Sequence, residues 1–259
     1  VGIGLDEFLR MGHAWSEDGL DWEPNPNNPI IVGAAGEWDE GLVGGPSAVF
    51  ADAESAHRDN RKLQLRLKNA KLRQQACIED VDYRHPRGLS KTLLLDLATS
   101  RWVAQHQNVI LTGKTGVGKS YLACALAQKA CRDGYTVAYR RFSRLLDELA
   151  QARADGTYLT ALRRFAKTQV LVLDDFGLDV LGAAERKILL DVLEDRYGVS
   201  STVVTSQIEP DLWHAVIGEE TAADSICDRL VHDAHRVKLS GESIRKSNSS
   251  LNGQTKSAK

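Results

Sequence analysis

Residues 108–120 read NVILTGKTGVGKS, and this run decides the fold. NVILT is short, apolar and β-branched, as a buried strand is. It ends at Gly113, and Gly113, Gly118, Lys119 and Ser120 fit the spacing G-x-x-x-x-G-K-[ST]. The next stretch, SYLACALAQKACRDG, sets Leu122, Leu126 and Ala130 four apart, with Gly134 as a stop; that is helix patterning. Strand, glycine-rich loop and helix in that order form a phosphate cradle. Glycines let the backbone curl so that N–H groups converge on a phosphate, and the helix N-terminus adds partial positive charge. The whole run Gly113, Lys114, Thr115, Gly116, Val117, Gly118, Lys119, Ser120 and Tyr121 is the expected nucleotide contact. Lys119 is expected to bridge the β- and γ-phosphates of ATP, and Ser120 to offer its hydroxyl to Mg2+.

Such a loop needs an acidic residue at the end of a neighbouring strand. VLVLDD at 170–175 supplies one. Asp174 suits the metal side, and Asp175 is placed to orient or deprotonate an attacking water. Around these two runs, apolar strand patterns at 108–112, 136–139, 169–173, 202–205 and 236–239 alternate with helix patterns at 119–131, 143–154, 183–197 and 221–232. The alternation predicts an α/β fold, a parallel sheet flanked by helices. A further helix is expected over 90–104, with Leu93, Leu94, Leu97 and Trp102 facing a core. Two short strings mimic a protein kinase, HRD at 57–59 and DFG at 175–177, but they lie too far apart to serve as one.

Charge divides the chain unevenly. Residues 1–52 hold one basic residue against ten acidic ones, whereas the remainder holds 32 basic against 25 acidic. The first stretch also carries three of the five tryptophans and four of the six prolines, with turn pairs such as Asp18-Gly19 and Asn28-Pro29; it reads as hairpins and loops. From about Ala53 a charged helix is expected to run through 55–76, with Leu63, Leu67 and Ala70 on one stripe. Seven basic residues against one acid fall between Arg58 and Arg73. A solvated helix face usually alternates sign, so this one is expected to meet a polyanion, duplex DNA. The candidate contacts are Arg61, Lys62, Arg66, Lys68, Lys71 and Arg73, with Arg84 and Arg87 in the loop beyond.

No apolar run approaches the ~20 residues that span a bilayer, and no signal peptide is visible, so a cytoplasmic protein without membrane partners is expected. The four cysteines form no CxxC pair and predict no disulfide scaffold. His232 and His235 have metal spacing, but no further ligand joins them. The chain begins at Val1, and a natural start upstream is expected. The last 18 residues, polar and rich in Ser, Lys and Asn, are expected to be disordered.

From Ala56 to about Lys246 the sequence resembles the IstB family, AAA+ ATPases that assist transposition of one class of insertion sequence. The resemblance rests on residues 65–73, on CIEDVDYRHPRGL at 77–89, on HQNVILTGKTGVGKSYLACALAQKA, on LVLDDFGL, on STVVTSQ and on DRLVHDAHRVKLSGESIRK. It implies an AAA+ core over 106–241, preceded by a basic helical segment over 53–105 and followed by a polar tail over 242–259. It further implies a γ-phosphate sensor at the end of STVVTSQ, filled by Gln207 or Ser206. Arg229 matches the arginine that such subunits insert into a neighbour's ATP site, which would make hydrolysis depend on an oligomer, and Arg245 suits a second sensor. Many AAA+ enzymes place glutamate where Asp175 stands, and the shorter side chain implies slow turnover or an extra water. The function implied is an ATP-dependent helper that assembles on duplex DNA and stimulates a transposase. The rivals are a helicase loader of the DnaC type, an inactive DNA-binding remnant and, from another class, a small-molecule P-loop kinase, which the short loop after Asp175 disfavours. Residues 1–52 resemble instead the opening of five-bladed β-propeller glycoside hydrolases and phosphorylases, which implies a fragment fused from another reading frame and no glycosidase activity.

Overall fold

Neighbouring residues of a strand face opposite sides of its sheet, and the central strands here are apolar on both. The computed structural model describes residues 10–15, 23–32 and 46–243, with side chains from residue 57 onward. Two antiparallel strands, β1 (Arg10–Trp15) and β2 (Glu23–Val32), pair with each other. Five parallel strands follow: β3 (Asn108–Gly113), β4 (Val137–Arg141), β5 (Val170–Phe176), β6 (Ser201–Ser206) and β7 (Ala234–Leu239). Their order across the sheet is β4-β5-β6-β3-β7. The chain divides after His57 into two units, and this sheet belongs to the second.

Val109, Leu111, Val170, Val172 and Val203 point to one face. There they meet α1 (Pro46–Ala70), α2 (Lys91–Leu97), α3 (Arg101–Ala104) and α4 (Lys119–Arg132) through Ala70, Leu94, Leu97, Trp102 and Leu122. Ile110, Leu171, Leu173 and Val204 point to the other. That face is covered by α5 (Phe142–Ala154), α6 (Tyr158–Ala166), α7 (Ala183–Glu194), α8 (Trp213–Ile217) and α9 (Glu220–Val231). Trp213 is fully buried and stacks at 4.6 Å on Phe176, itself 4.8 Å from Phe142. Rings of this size contribute roughly 3–5 kcal/mol each to such a core, measured by truncation to alanine.

The five strands and four principal helices lie where the sequence pattern puts them, with ends shifted by a few residues. Several details differ. The helix expected over 90–104 is broken in two, because Ser100 takes a left-handed φ of 56° and its backbone N–H turns back to Leu97. The helix expected over 55–76 stops at Ala70, where Lys71 has φ 51°. At its other end it begins at Pro46, so residues 46–52, expected as hairpin or loop, are helical. Pro at a helix start forgoes an N–H that would have no partner there. α6 and α8 were not foreseen; α6 offers the core only Leu162 and Phe165 as fully buried residues, too few for a legible stripe. The hairpin-and-loop reading of 1–52 meets β1 and β2 but not the helical residues 46–52, and residues 1–9, 16–22 and 33–45 lie outside the described residues. The polar tail beyond Ser243 lies outside them as well.

Where the strands begin, one cation is sealed in. Arg196 is 1% exposed, and its guanidinium donates to Phe165 O and Thr168 O, both at 2.6 Å, to Ser201 O and to Thr202 Oγ1. Burial lowers its pKa to about 9, still far above neutrality, so it stays charged. The carbonyls ending α6 carry partial negative charge and suit a cation.

Candidate nucleotide site

The five parallel strands end on the opposite edge, and a cavity of about 570 Å3 opens there. Gly113, Gly116 and Gly118 take φ of 142°, 88° and 98°, which L side chains rarely adopt. A Cβ on Gly113 would overlap the Leu239 carbonyl, and one on Gly116 would overlap the Ser243 side chain. The loop is thus pressed against the end of β7, and only glycine fits. Lys119 opens α4, is 6% exposed, and rests its ammonium on Gly113 O at 2.6 Å and Lys114 O at 2.9 Å. Thr115 donates to Gln207 at 2.8 Å. Thr115, Gly116, Gly118, Lys119, Ser120 and Tyr121 line the cavity, while Val117 is packed beneath in the core.

The acidic pair sits on an irregularity. The register between β5 and β6 slips between Leu173 and Phe176, and Asp175 has φ 63°. Consecutive strand residues should face opposite sides; the slip re-aims them, and aspartate tolerates the left-handed region better than most residues. Asp175 therefore lines the cavity, and Asp174 lies beneath it behind Ser120. Asp174 is fully buried. Its Oδ1 accepts from Ser120 Oγ at 2.7 Å and Thr205 Oγ1 at 2.6 Å, and its Oδ2 from Arg73 Nη1 at 3.1 Å and from the Tyr139 hydroxyl. Burial alone would raise its pKa, but the bonds from Thr205, Tyr139, Ser120 and Arg73 outweigh that and hold it below the ordinary carboxylate value. Burial and the same carboxylate push the Tyr139 phenol up. Asp175 pairs with Arg141 Nη2 at 3.1 Å and lies 3.7 Å from Arg73 Nη1, and its N–H donates to Thr205 Oγ1.

Of the two sensor candidates, Gln207 lines the cavity, whereas Ser206 turns its hydroxyl to Phe176 O. Arg229 lies far from its own loop. It pairs with Glu194, and it borders a small cavity with Asn108 and Thr202, where β3 and β6 begin. Six strand residues separate the two edges by about 17 Å. Arg245 lies outside the described residues. Of the eight expected DNA contacts, three turn inward. Arg66 Nε donates to Cys131 O, Arg73 reaches the carboxylates, and Arg87 is buried against the loop, with Nη2 on Asp82 O and burial lowering its pKa. Arg61, Lys62, Lys68, Lys71 and Arg84 remain exposed.

Sequence reasoning missed Arg73, Arg141, Tyr139 and Thr205 as neighbours of the acidic pair. Strand ends beside a Walker-type acid are where such residues gather, and that rule picks out Tyr139, Arg141 and Thr205; nothing in the pattern picks out Arg73. Ser120 and Asp174 offer hard oxygen donors of the kind that hold Mg2+, and the glycine bed leaves room for phosphates. Among the described residues no cluster of three or more His, Cys, Asp or Glu forms a separate metal site, and no helix is long and apolar enough to cross a membrane.

Comparison with known proteins agrees with this geometry. The family described as IstB-like ATP binding protein matches residues 48–252. An insertion sequence ATP-binding protein of Sinorhizobium fredii is 51% identical over 198 residues, covering 76% of this chain and 81% of that protein. An ATP-binding protein in an insertion sequence of Mycobacterium tuberculosis is 34% identical over 193 residues, covering 74% and 77%. Among solved structures, DnaI superposes with a TM-score of 0.56 at 24% identity over 64% of this chain and 91% of its own. The DnaC helicase loader gives 0.52 at 21% identity over 63% and 97%. These establish the fold as that of AAA+ P-loop ATPases. The family match starts at residue 48 and lends no support to the propeller resemblance of residues 1–52.

Proposed function

The chain belongs to the family of IstB-like ATP-binding proteins, and from that premise we propose that it is an ATPase that assists transposition by assembling on duplex DNA and stimulating a partner transposase. One observation carries this reading. The loop lysine Lys119, the Ser120–Asp174 pair and Asp175 converge on one cavity, in a chain similar to insertion sequence ATP-binding proteins.

Each residue then has a task. The N–H groups of 113–120 and the Lys119 ammonium bind the phosphates of ATP and balance charge as the terminal bond breaks. Ser120 and Asp174 would hold Mg2+, which would supply positive charge to offset that of the phosphates. Asp175, held in its left-handed turn by the Thr205 hydroxyl, orients or deprotonates the attacking water. Gln207 touches the loop through Thr115 and senses the γ-phosphate. Arg229 faces away from its own site, so its part is in trans, in the site of a second copy. The basic segment over 53–105 meets DNA through Arg61, Lys62, Lys68, Lys71 and Arg84, the exposed members of the expected set. Such contacts bind phosphate without reading sequence.

The test is ATP hydrolysis by the whole chain with and without duplex DNA, beside Lys119→Ala. DNA-stimulated turnover that is lost in the variant supports the reading. Turnover indifferent to DNA removes the assembly on DNA, and no turnover at all leaves a DNA-binding remnant.

A further inference from the structure

Arg73 follows the basic residues of α1 in sequence, yet it does not share their situation. The helix ends at Ala70, Lys71 takes φ 51°, and the chain turns. Leu72 packs against the core and Ala76 is buried in it, so the strap between them is anchored at both ends. This delivers the Arg73 guanidinium into the nucleotide cavity, whose wall it forms. Its Nη1 lies 3.1 Å from Asp174 Oδ2 and 3.7 Å from Asp175 Oδ2. The same Asp174 carboxylate receives Ser120 Oγ at 2.7 Å on its other oxygen. Arg73 thus brings positive charge to the oxygen pair that a hard divalent cation would require.

Two cations compete for one buried carboxylate. A guanidinium a few ångströms from a seated dication is repelled, and the effect is large where water is excluded. Surface ion pairs are worth little, but Asp174 is fully buried. The strap also explains how the residue can move: the Arg73 side chain lines the cavity and is 37% exposed, so it can swing outward without unpacking Leu72 or Ala76.

We propose that Arg73 is a built-in competitor for the divalent cation at Asp174, seated on the carboxylate in the nucleotide-free protein and withdrawn when a metal–nucleotide complex occupies the site. This rests on the proposed function, since it needs a nucleotide site. It goes further in giving the end of the basic helix two positions tied to what that site holds. The strap is a direct covalent route between the DNA-facing face of α1 and the acid of the ATP site.

The experiment titrates Mg2+ into the whole chain with a fluorescent ADP analogue, which binds but cannot be hydrolysed at a γ-phosphate, and compares wild type with Arg73→Gln. Gln75→Ala, exposed and outside the cavity wall, is the control. The expected result is a roughly five- to tenfold lower Mg2+ half-saturation in Arg73→Gln and no change in the control. Mg2+ alone is also expected to raise the melting temperature of Arg73→Gln more than that of wild type. Should Arg73→Gln fail to fold, Arg73→Lys carries the test: a shorter, more strongly hydrated point charge competes less well, and a smaller shift in the same direction is expected. An unchanged or higher Mg2+ half-saturation with nucleotide binding intact overturns the competitor alone. Absence of nucleotide binding in wild type overturns it together with the proposed function.

Discussion

Arg196 and Lys119 sit at opposite edges of one sheet, both almost wholly buried, and they differ in what surrounds them. Arg196 lies where β6 begins and is held by four acceptors that belong to a helix end and a strand start. No carboxylate shares it among the described ion pairs. Lys119 lies where β3 has ended and rests on two carbonyls of a glycine-rich loop, beside a cavity large enough for a nucleotide. Around it Arg73, Arg141, Tyr139, Ser120 and Thr205 share two carboxylates. A buried charge saturated by fixed backbone is an architectural part. One that rests on a glycine-rich loop at the wall of an open cavity, beside carboxylates that several side chains share, is equipped to bind and react.

Arg196→Ala should break the comparison hardest. It removes the buried guanidinium that donates to Phe165 O, Thr168 O, Ser201 O and Thr202 Oγ1, and unfolding in urea should show a loss of about 3–5 kcal/mol with nucleotide affinity of the folded fraction unchanged. Lys119→Ala should do the reverse. Turnover is expected to fall by roughly a hundredfold or more, while the urea midpoint stays near that of wild type. Asp175→Asn sharpens the contrast within the active edge. Asparagine also tolerates φ 63°, so the turn survives; ATP turnover should drop about a hundredfold with nucleotide binding retained, as filter or fluorescence binding would register.

A smaller effect follows from acid titration. Asp174 has its folded pKa below the ordinary 3.8 because hydrogen bonds overcome burial. Its contribution is therefore fully present above that value and lost as pH falls through the lower, folded value. Asp174→Asn should reduce stability at neutral pH and flatten the acid limb below about pH 4, measured by melting across pH. The smallest is Thr115→Val. It removes one bond, to Gln207, and should cost about 1 kcal/mol or less in stability.

The active edge was the more legible of the two. Gly113, Gly118, Lys119, Ser120 and the Asp174–Asp175 pair have local spacing that reports their chemistry, and strands alternating with helices report the sheet. What sequence could not supply is long-range. Arg73 and Asp174 are 101 residues apart, and a basic residue in a basic helical run carries no mark that the helix stops three residues earlier. The left-handed turns at Lys71, Ser100 and Asp175 involve no glycine, so the usual punctuation was missing. Arg196 was silent for the same reason: its acceptors come from α6, which left no clear stripe, and from β6.

The packing of Gly113 against Leu239 also bears on how the protein is made. β3 lies between β6 and β7, which of the described strands are the last two to leave the ribosome. At roughly 5–20 residues per second, the phosphate loop waits several seconds or longer, after its own synthesis, for the strands that shape it. A nascent chain has no ATP site until translation has passed Leu239, and a product ending before Ala234 lacks one of the two edges between which β3 must close. Such a chain exposes the apolar strand NVILT to other chains, a hazard that ends only when the final strand arrives.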